Sequence, residues 1–157
     1  MSLINQILPS GNVFLDLDVG SKKRVFEHVG ILFENSHAIA RSVIFDSLFA
    51  REKLGSTGLG QGVAIPHGRI KGLKEATCAF VRLKEPIPYD APDGLPVSLI
   101  CVLLVPANAT DLHLQILSEL AQLFSDKRMR EALAAVADPA EAWKLISTWE
   151  PYAADYR

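Results

Sequence analysis

The chain has no surplus of charge of either sign, since 16 lysines and arginines stand against 18 aspartates and glutamates in 157 residues, for a net charge of −2. Nucleic-acid-binding proteins usually carry a basic excess, so this balance argues against a nucleic-acid partner. Long apolar runs are also missing. The longest, Leu99 to Val105, is too short to cross a bilayer, and Met1 to Asn12 lacks the basic start and apolar stretch of a secretory signal. We therefore expect a cytoplasmic protein without membrane insertion.

Cysteine is scarce as well, with only Cys78 and Cys101 in the chain. Both lie in apolar, strand-like segments, and neither belongs to a Cys-x-x-Cys or mixed cysteine and histidine cluster that could bind zinc. We predict two reduced thiols buried in a core. Hydrophobic residues at 49% and charged residues at 22% indicate a globular protein. The length fits a single domain over residues 1–157.

What is present is a succession of strand-like and helix-like hydrophobic patterns. These predict strands over 13–19, 63–65, 77–83 and 97–105, and helices over 21–34, 38–53, 111–124, 126–136 and from 139 onward. A proline-rich loop is expected over 86–96. The stretch 55–62 holds four glycines in eight residues, which argues against a helix or a regular strand. The order of elements predicts an α+β fold, a three-layer α/β/α sandwich with one mixed β-sheet flanked by helices on both faces.

The start of the first of these helices is unusual, because Lys22, Lys23 and Arg24 follow the capping residue Ser21. Positive charges at a helix N-terminus oppose the helix dipole. These side chains are therefore either tolerated at that position or used for another purpose.

His67 differs from the other three histidines in its setting. It follows a short strand and Pro66 and precedes Gly68, so an imidazole is presented where the backbone is fixed and a partner can approach. A neutral imidazole nitrogen can attack phosphorus. The resulting charge needs donors such as the Arg51 guanidinium, the Thr57 hydroxyl and open N–H groups in the glycine-rich stretch. The residues alone leave two interpretations open, a phosphorylated histidine and a structurally rigid loop histidine.

Residues 51–68, with the sequence REKLGSTGLGQGVAIPHG, resemble the active-site signature of the fructose/mannitol-type enzyme IIA family of bacterial phosphotransferase systems. Glu52 fills the acidic or amide position of that signature. Leu59 and Gly60 fill its aliphatic and small pair, and residues 63–68 match its ending. The resemblance extends over nearly the whole chain, and it implies a mixed sheet flanked by helices.

The resemblance also implies roles for individual residues. His67 would be the phosphoacceptor of a phosphotransferase component that carries phosphohistidine, and Arg51 and His113 would be its neighbours. Leu59 and Ile70 are candidate partner contacts, with burial as the alternative for each. The chemistry requires neither a metal nor another cofactor. Phosphate or partner binding is assigned to residues of the glycine-rich stretch and to the residue after the histidine, namely Ser56, Thr57, Gly58 and Gly68.

The chain resembles the nitrogen-regulatory branch of this family in the sequence of residues 51–60, in its length and in its stand-alone form. Membership implies phosphorylation by a histidine phosphocarrier protein (NPr/HPr-like) and phosphorylation-dependent binding of regulatory targets in nitrogen and potassium control. A sugar-specific enzyme IIA, which would pass phosphate to a IIB domain, is the alternative within the family. Two other classes also stay open. One is a binding module that keeps the fold without phosphotransfer. The other is a metal-dependent hydrolase using His67 and His113, although two histidines without a carboxylate placed beside them make a poor metal site.

Overall fold

The computed structural model describes residues 2–150, in which six α-helices surround one sheet of six strands. The helices are α1 (Leu3–Ile7), α2 (Lys22–His37), α3 (Arg41–Lys53), α4 (Thr110–Ser125), α5 (Lys127–Ala135) and α6 (Pro139–Ser147). The strands are β1 (Val13–Leu17), β2 (Gly58–Gly60), β3 (Val63–Ala64), β4 (His67–Ile70), β5 (Thr77–Ile87) and β6 (Val97–Pro106).

The sheet is mixed and has the order β1-β5-β6-β3-β2, with β4 also paired to β6. Strand β6 is antiparallel to β5 and parallel to both β3 and β4, which occupy successive stretches of its other edge. Helices α2 and α3 cover one face of the sheet, and α1, α4, α5 and α6 cover the other. The predicted three-layer sandwich with one mixed sheet is confirmed.

Strand β6 shows why the sequence pattern indicates this architecture. Its residues alternate between the two cores: Leu103 packs on the side of α4, and Leu104 packs on the side of α2 and α3. A strand covered on both faces needs apolar residues at every position, so it appears in the sequence as a continuous apolar run. Cys78 and Cys101 are buried and free in the first of these cores, as predicted.

The helix starts follow the capping signals. The Ser21 side chain accepts a hydrogen bond from the N–H of Arg24 at 3.2 Å, and Asp138 accepts from the N–H of Glu141 at 2.9 Å. The boundary between α2 and α3 differs from the prediction, because α2 continues to His37 and ends at Ala38, which has a φ of +57°. That left-handed conformation cannot continue or begin a helix, so α3 starts at Arg41 and not at Ala38.

Three segments form strand where the sequence predicts none, and β1 ends at Leu17 instead of at the predicted Val19. Residues 58–60 form a short edge strand within the glycine-rich stretch, although its register with β3 shifts between Gly58 and Gly60. Gly60 has a φ of +94°, which a glycine adopts without strain. His67 begins a strand, where the sequence predicts the end of one. Strand β5 continues through Pro86, beyond the predicted end at Leu83, after its register with β6 shifts. None of the helices in residues 2–150 is long and apolar enough to span a membrane.

Candidate functional site

The backbone of β6 determines where His67 lies. The N–H of Leu103 donates to the carbonyl of Pro66 at 3.0 Å, and His67 pairs with Leu103 at the start of β4. The Nδ1 atom of His67 lies 2.8 Å from the carbonyl oxygen of Ile65. A carbonyl oxygen only accepts hydrogen bonds, so Nδ1 carries the proton in the neutral ring, and the lone pair is on Nε2.

His113, in the first turn of α4, lies directly against His67. The ring centroids are 5.1 Å apart, and the ring planes meet at 71°. His113 is only 8% exposed, and neither of its ring nitrogens has a hydrogen-bond partner within the described part of the chain. Buried polar atoms are normally paired, so these two nitrogens are the kind of group that a bound ligand satisfies.

Both histidines are held in the neutral form. Burial lowers the pKa of His67 most, and the charge of Arg51 lowers it further, while the Ile65 carbonyl and Glu52 act in the opposite direction. For His113, burial is again the main cause of a lowered pKa, followed by the charges of His67, Arg69 and Arg51. A neutral His67 is the nucleophilic form.

Arg51, in the last turn of α3, places a positive charge beside His67. Its Nη1 donates to the carbonyl of Gly55 at 2.8 Å, which directs the guanidinium along the glycine-rich stretch. Arg51 and His67 line one groove of about 410 Å³ together with side chains of α4, among them Leu114 and Ser118. The structure thus brings together the arginine and the two histidines that the sequence analysis singled out.

In the glycine-rich stretch, the N–H groups of Thr57 and Gly58 donate to side chains of the protein itself. The N–H of Thr57 donates to Glu52 Oε2 at 2.9 Å, and its hydroxyl donates to Glu52 Oε1 at 2.6 Å. The N–H of Gly58 donates to Ser56 Oγ at 3.1 Å, and Ser56 Oγ donates to the carbonyl of Tyr89 at 2.9 Å. The expectation of open N–H groups is therefore wrong at Thr57 and Gly58, because side chains within the fold already bind them.

Two residues near His67 face into the protein. Along β4 the side chains alternate, so Gly68 and Ile70 point toward α3. A Cβ atom at Gly68 would collide with Ser47 Oγ, so the glycine permits close packing of α3 on β4. Ile70 is 1% exposed, which rules it out as a partner contact, whereas Leu59 is 46% exposed at the groove.

Glu52 has a structural role that the sequence does not indicate. It fills a position of the signature, but its side chain is buried and holds Thr57. Lys22, from α2, lies 3.0 Å from Glu52 Oε2. The hydroxyls of Tyr89 and Thr57 are 3.1 Å apart in the same cluster. Only the unusual basic start of α2 could have indicated that Lys22 has a specific partner.

The fold is thus a mixed sheet between two helical layers, and the candidate site holds a hydrogen-bonded histidine beside a second histidine and an arginine. The family model described as "Phosphoenolpyruvate-dependent sugar phosphotransferase system, EIIA 2" matches residues 6–149. The chain belongs to this family, whose members are components of a phosphotransferase. Within residues 2–150, no group of three or more histidine, cysteine, aspartate or glutamate side chains could hold a metal ion.

Similar proteins indicate the branch of the family. The chain is 42% identical over 147 residues to a nitrogen regulatory protein of Pseudomonas aeruginosa, a match that covers 93% of this chain and 96% of that one. The solved structure of Nitrogen Regulatory Protein IIA-Ntr from Neisseria meningitidis is 56% identical, with a TM-score of 0.88, and the match covers 92% and 99% of the two chains. The predicted resemblance to the nitrogen-regulatory branch is confirmed. The structure of IIA mannitol from Escherichia coli shares the fold at 22% identity, with a TM-score of 0.74 over 88% of this chain and 97% of that one.

Proposed function

We propose that this chain carries a phosphoryl group on Nε2 of His67, which it accepts from a histidine phosphocarrier protein of the NPr/HPr type. One observation carries the proposal: the hydrogen bond from Nδ1 to the Ile65 carbonyl leaves Nε2 as the nitrogen with a lone pair. His67 is also only partly buried and lines an open groove, so a donor protein can reach it.

The transfer needs no metal. The lone pair of His67 Nε2 attacks phosphorus, the nitrogen–phosphorus bond of the donor breaks, and its electron pair returns to the donor ring. The Nδ1 proton of His67 stays on the ring, where it is hydrogen-bonded to the Ile65 carbonyl. The ring of His67 therefore gains the positive charge that the donor ring loses. Such a transfer depends on positioning and charge stabilisation more than on covalent chemistry by other groups.

Arg51 and His113 supply that stabilisation in the proposed mechanism. The guanidinium has several N–H donors, of which one is bonded to Gly55, and the others suit phosphoryl oxygens. His113 lies beside His67 with unpaired ring nitrogens, so one N–H can donate to the phosphoryl group. Ser56, Thr57 and Gly58 line the groove in this mechanism, Gly68 lets α3 pack against β4 beside it, and none of the four binds the phosphate directly.

The proposed regulatory role rests on the branch of the family and on the surface around His67. Leu114 is 67% exposed and Leu59 is 46% exposed at the rim of the groove. A partner that covers this apolar surface would also cover the phosphorylation site. Adding a dianion there changes the desolvation cost of binding, so the two forms bind targets differently. We propose cytoplasmic targets in nitrogen or potassium control.

The test is phosphotransfer from the sugar-system and nitrogen-system carriers of the host, compared side by side, with His67→Ala as the control. The nitrogen-system carrier should label the wild-type chain faster, and His67→Ala should stay unlabelled while remaining folded. Faster labelling by the sugar-system carrier, followed by transfer to a IIB domain, would support the sugar-specific alternative. Normal labelling of His67→Ala would overturn the assignment, and no labelling of the wild type would leave a pure binding module.

A further inference from the structure

A buried carboxylate supports the groove that His67 lines, because it binds Thr57, another lining residue of that groove. The Glu52 side chain is 4% exposed, and its two oxygens accept hydrogen bonds from the N–H and the hydroxyl of Thr57 at 2.9 and 2.6 Å. A buried carboxylate needs such donors, and an opposite charge, to offset its lost hydration. These bonds attach the backbone around Thr57 to the end of α3.

The position of Arg51 also depends on this loop. The carbonyl of Gly55 accepts from Arg51 Nη1 at 2.8 Å, while the N–H of Gly55 donates to the backbone carbonyl of Glu52 at 3.1 Å. Gly55 is two residues before Thr57, so fixing Thr57 also fixes the carbonyl that orients the guanidinium. Glu52 therefore supports the position of Arg51 through the loop.

This support has an electrostatic cost for phosphorylation. The phosphoryl group proposed for His67 brings close to two negative charges, and a carboxylate nearby repels it. Glu52 binds Thr57, which lines the same groove as His67, and the charge of Glu52 acts to raise the pKa of the His67 ring. An uncompensated Glu52 would disfavour the phosphorylated form.

Lys22 provides the compensation. Its ammonium lies 3.0 Å from Glu52 Oε2 and 4.5 Å from the ring centre of Tyr89, and its side chain is 19% exposed. We propose, on the basis of the proposed function, that Lys22 and Glu52 are a positioning pair: Glu52 holds the loop that orients Arg51, and Lys22 neutralises Glu52 so that the loop does not repel the phosphoryl group. This role gives a reason for the positive charge of Lys22 in the first turn of α2, where it opposes the helix dipole.

The test is the equilibrium of phosphoryl exchange between a histidine phosphocarrier protein and variants of this chain. Lys22→Met should lower the equilibrium constant for phosphorylation of His67 about fivefold, because it leaves the buried Glu52 without its ammonium partner. Glu52→Gln should raise the constant by a similar factor, because Lys22 then keeps only the exposed Asp90, 3.8 Å away, as a partner. The double variant should return close to the wild-type value. Lys23→Met removes the same charge one residue further along α2 and should leave the constant unchanged.

The signs of these effects decide the proposal. A pair with only a structural role would lower the constant in both single variants, and the double variant would be no better; that result would overturn the proposal. An unchanged constant in Lys22→Met would overturn it too. If Lys22→Met does not fold, the direction of change in Glu52→Gln decides alone. Glu52→Gln should also slow transfer in both directions, because Arg51 is then less firmly oriented.

A second measurement separates this pair from the proposed function. If the wild-type chain takes no phosphate on His67, the proposed function fails, and an NMR titration of the His67 imidazole still tests the pair. Lys22→Met should raise the pKa of His67, and Glu52→Gln should lower it. His113, Arg51 and Arg69, whose charges also act on the two-histidine cluster, are the same in both variants. Identical His67 titrations in all variants would overturn the proposal.

Discussion

The ring of His113 meets the ring of His67 at 71°, with 5.1 Å between their centroids, so the histidine proposed to react packs directly against a second imidazole. A phosphoryl group on His67 would bring negative charge to a neighbour whose pKa is now lowered, chiefly by burial. That charge would favour a protonated His113, which can donate to phosphoryl oxygens.

We expect His113→Ala to slow phosphorylation and to shorten the lifetime of the phosphohistidine, each by about tenfold or more, the scale of losing one donor to a developing anion. Rapid-quench labelling and a hydrolysis time course measure the two effects. His28→Ala, which changes an exposed histidine of α2, is the control. Wild-type labelling and lifetime in His113→Ala would remove His113 from the mechanism.

Arg51→Ala should slow phosphotransfer by about ten- to a hundredfold, because the guanidinium places a positive charge in the groove beside His67. Thermal stability should change little, since the side chain is partly exposed and makes one hydrogen bond to Gly55. Arg51→Lys should recover only part of the rate, because lysine lacks the planar fork of donors. Lys53→Ala, in the same helical turn, is the matched control, and equal rates in the wild type and Arg51→Ala would exclude the proposed role.

Stability should fall at mildly acidic pH. Both site histidines have folded-state pKa values below the ordinary 6.5, mainly because of burial. Between that value and the lower folded pKa values the unfolded chain binds more protons, so the free energy of unfolding decreases as pH falls through this window. Above about pH 7 the contribution is fully present.

Urea denaturation over a pH series measures this effect. The wild type should lose more stability than the His67→Asn/His113→Asn double variant when the pH is lowered from about 7 to about 5. Parallel losses in the two proteins would show that other groups cause the acid sensitivity.

Gly68→Ala should destabilise the fold by about 1–3 kcal/mol, the usual cost of forcing an extra methyl into a packed interface. The new Cβ would meet Ser47 Oγ and push α3 away from β4. Thermal or denaturant unfolding measures the change. Gly11→Ala is the matched control, because no atom lies within 4 Å of the added methyl there, and it should be close to neutral.

Leu114→Asp should weaken binding of the phosphocarrier about tenfold or more, because it introduces a charge into the apolar rim of the groove. Leu114 is 67% exposed, so the fold should be retained. Titration calorimetry or NMR line-shape analysis measures the affinity. Leu95→Asp changes a residue that is 50% exposed in the loop between β5 and β6 and does not line the groove. Equal affinities for both variants would argue against the proposed docking surface.

The layered fold could be predicted because local patterns and tertiary burial agree. The apolar run of β6 indicates a strand covered on both faces, and the caps Ser21 and Asp138 mark helix starts that the structure contains. The boundary at Ala38 could not be predicted, since nothing in an alanine indicates the positive φ that ends α2. The direction of the turn between α2 and α3 depends on how those helices pack together.

The proximity of the two histidines and Arg51 could be expected from the resemblance to the family, but the residues that support them could not. Lys22 and Glu52 are separated by 30 residues and meet only because α2 and α3 pack side by side. Ile70 illustrates the same limit, because its direction depends on the pleat of β4, a strand that begins at His67 where a loop was expected. Packing or pairing between segments that are distant in the sequence determines both the Lys22–Glu52 contact and the direction of the Ile70 side chain.

The hydrogen bond between His67 and the carbonyl of Ile65 affects how this protein can change over time. In many enzymes a side-chain carboxylate fixes the tautomer of a reactive histidine, and one mutation can remove that carboxylate. Here the acceptor belongs to the main chain, so every amino acid at position 65 would present the same oxygen. Substitutions can vary the groove, the charges and the partner surface, while the nitrogen that faces the partner is inherited with the backbone.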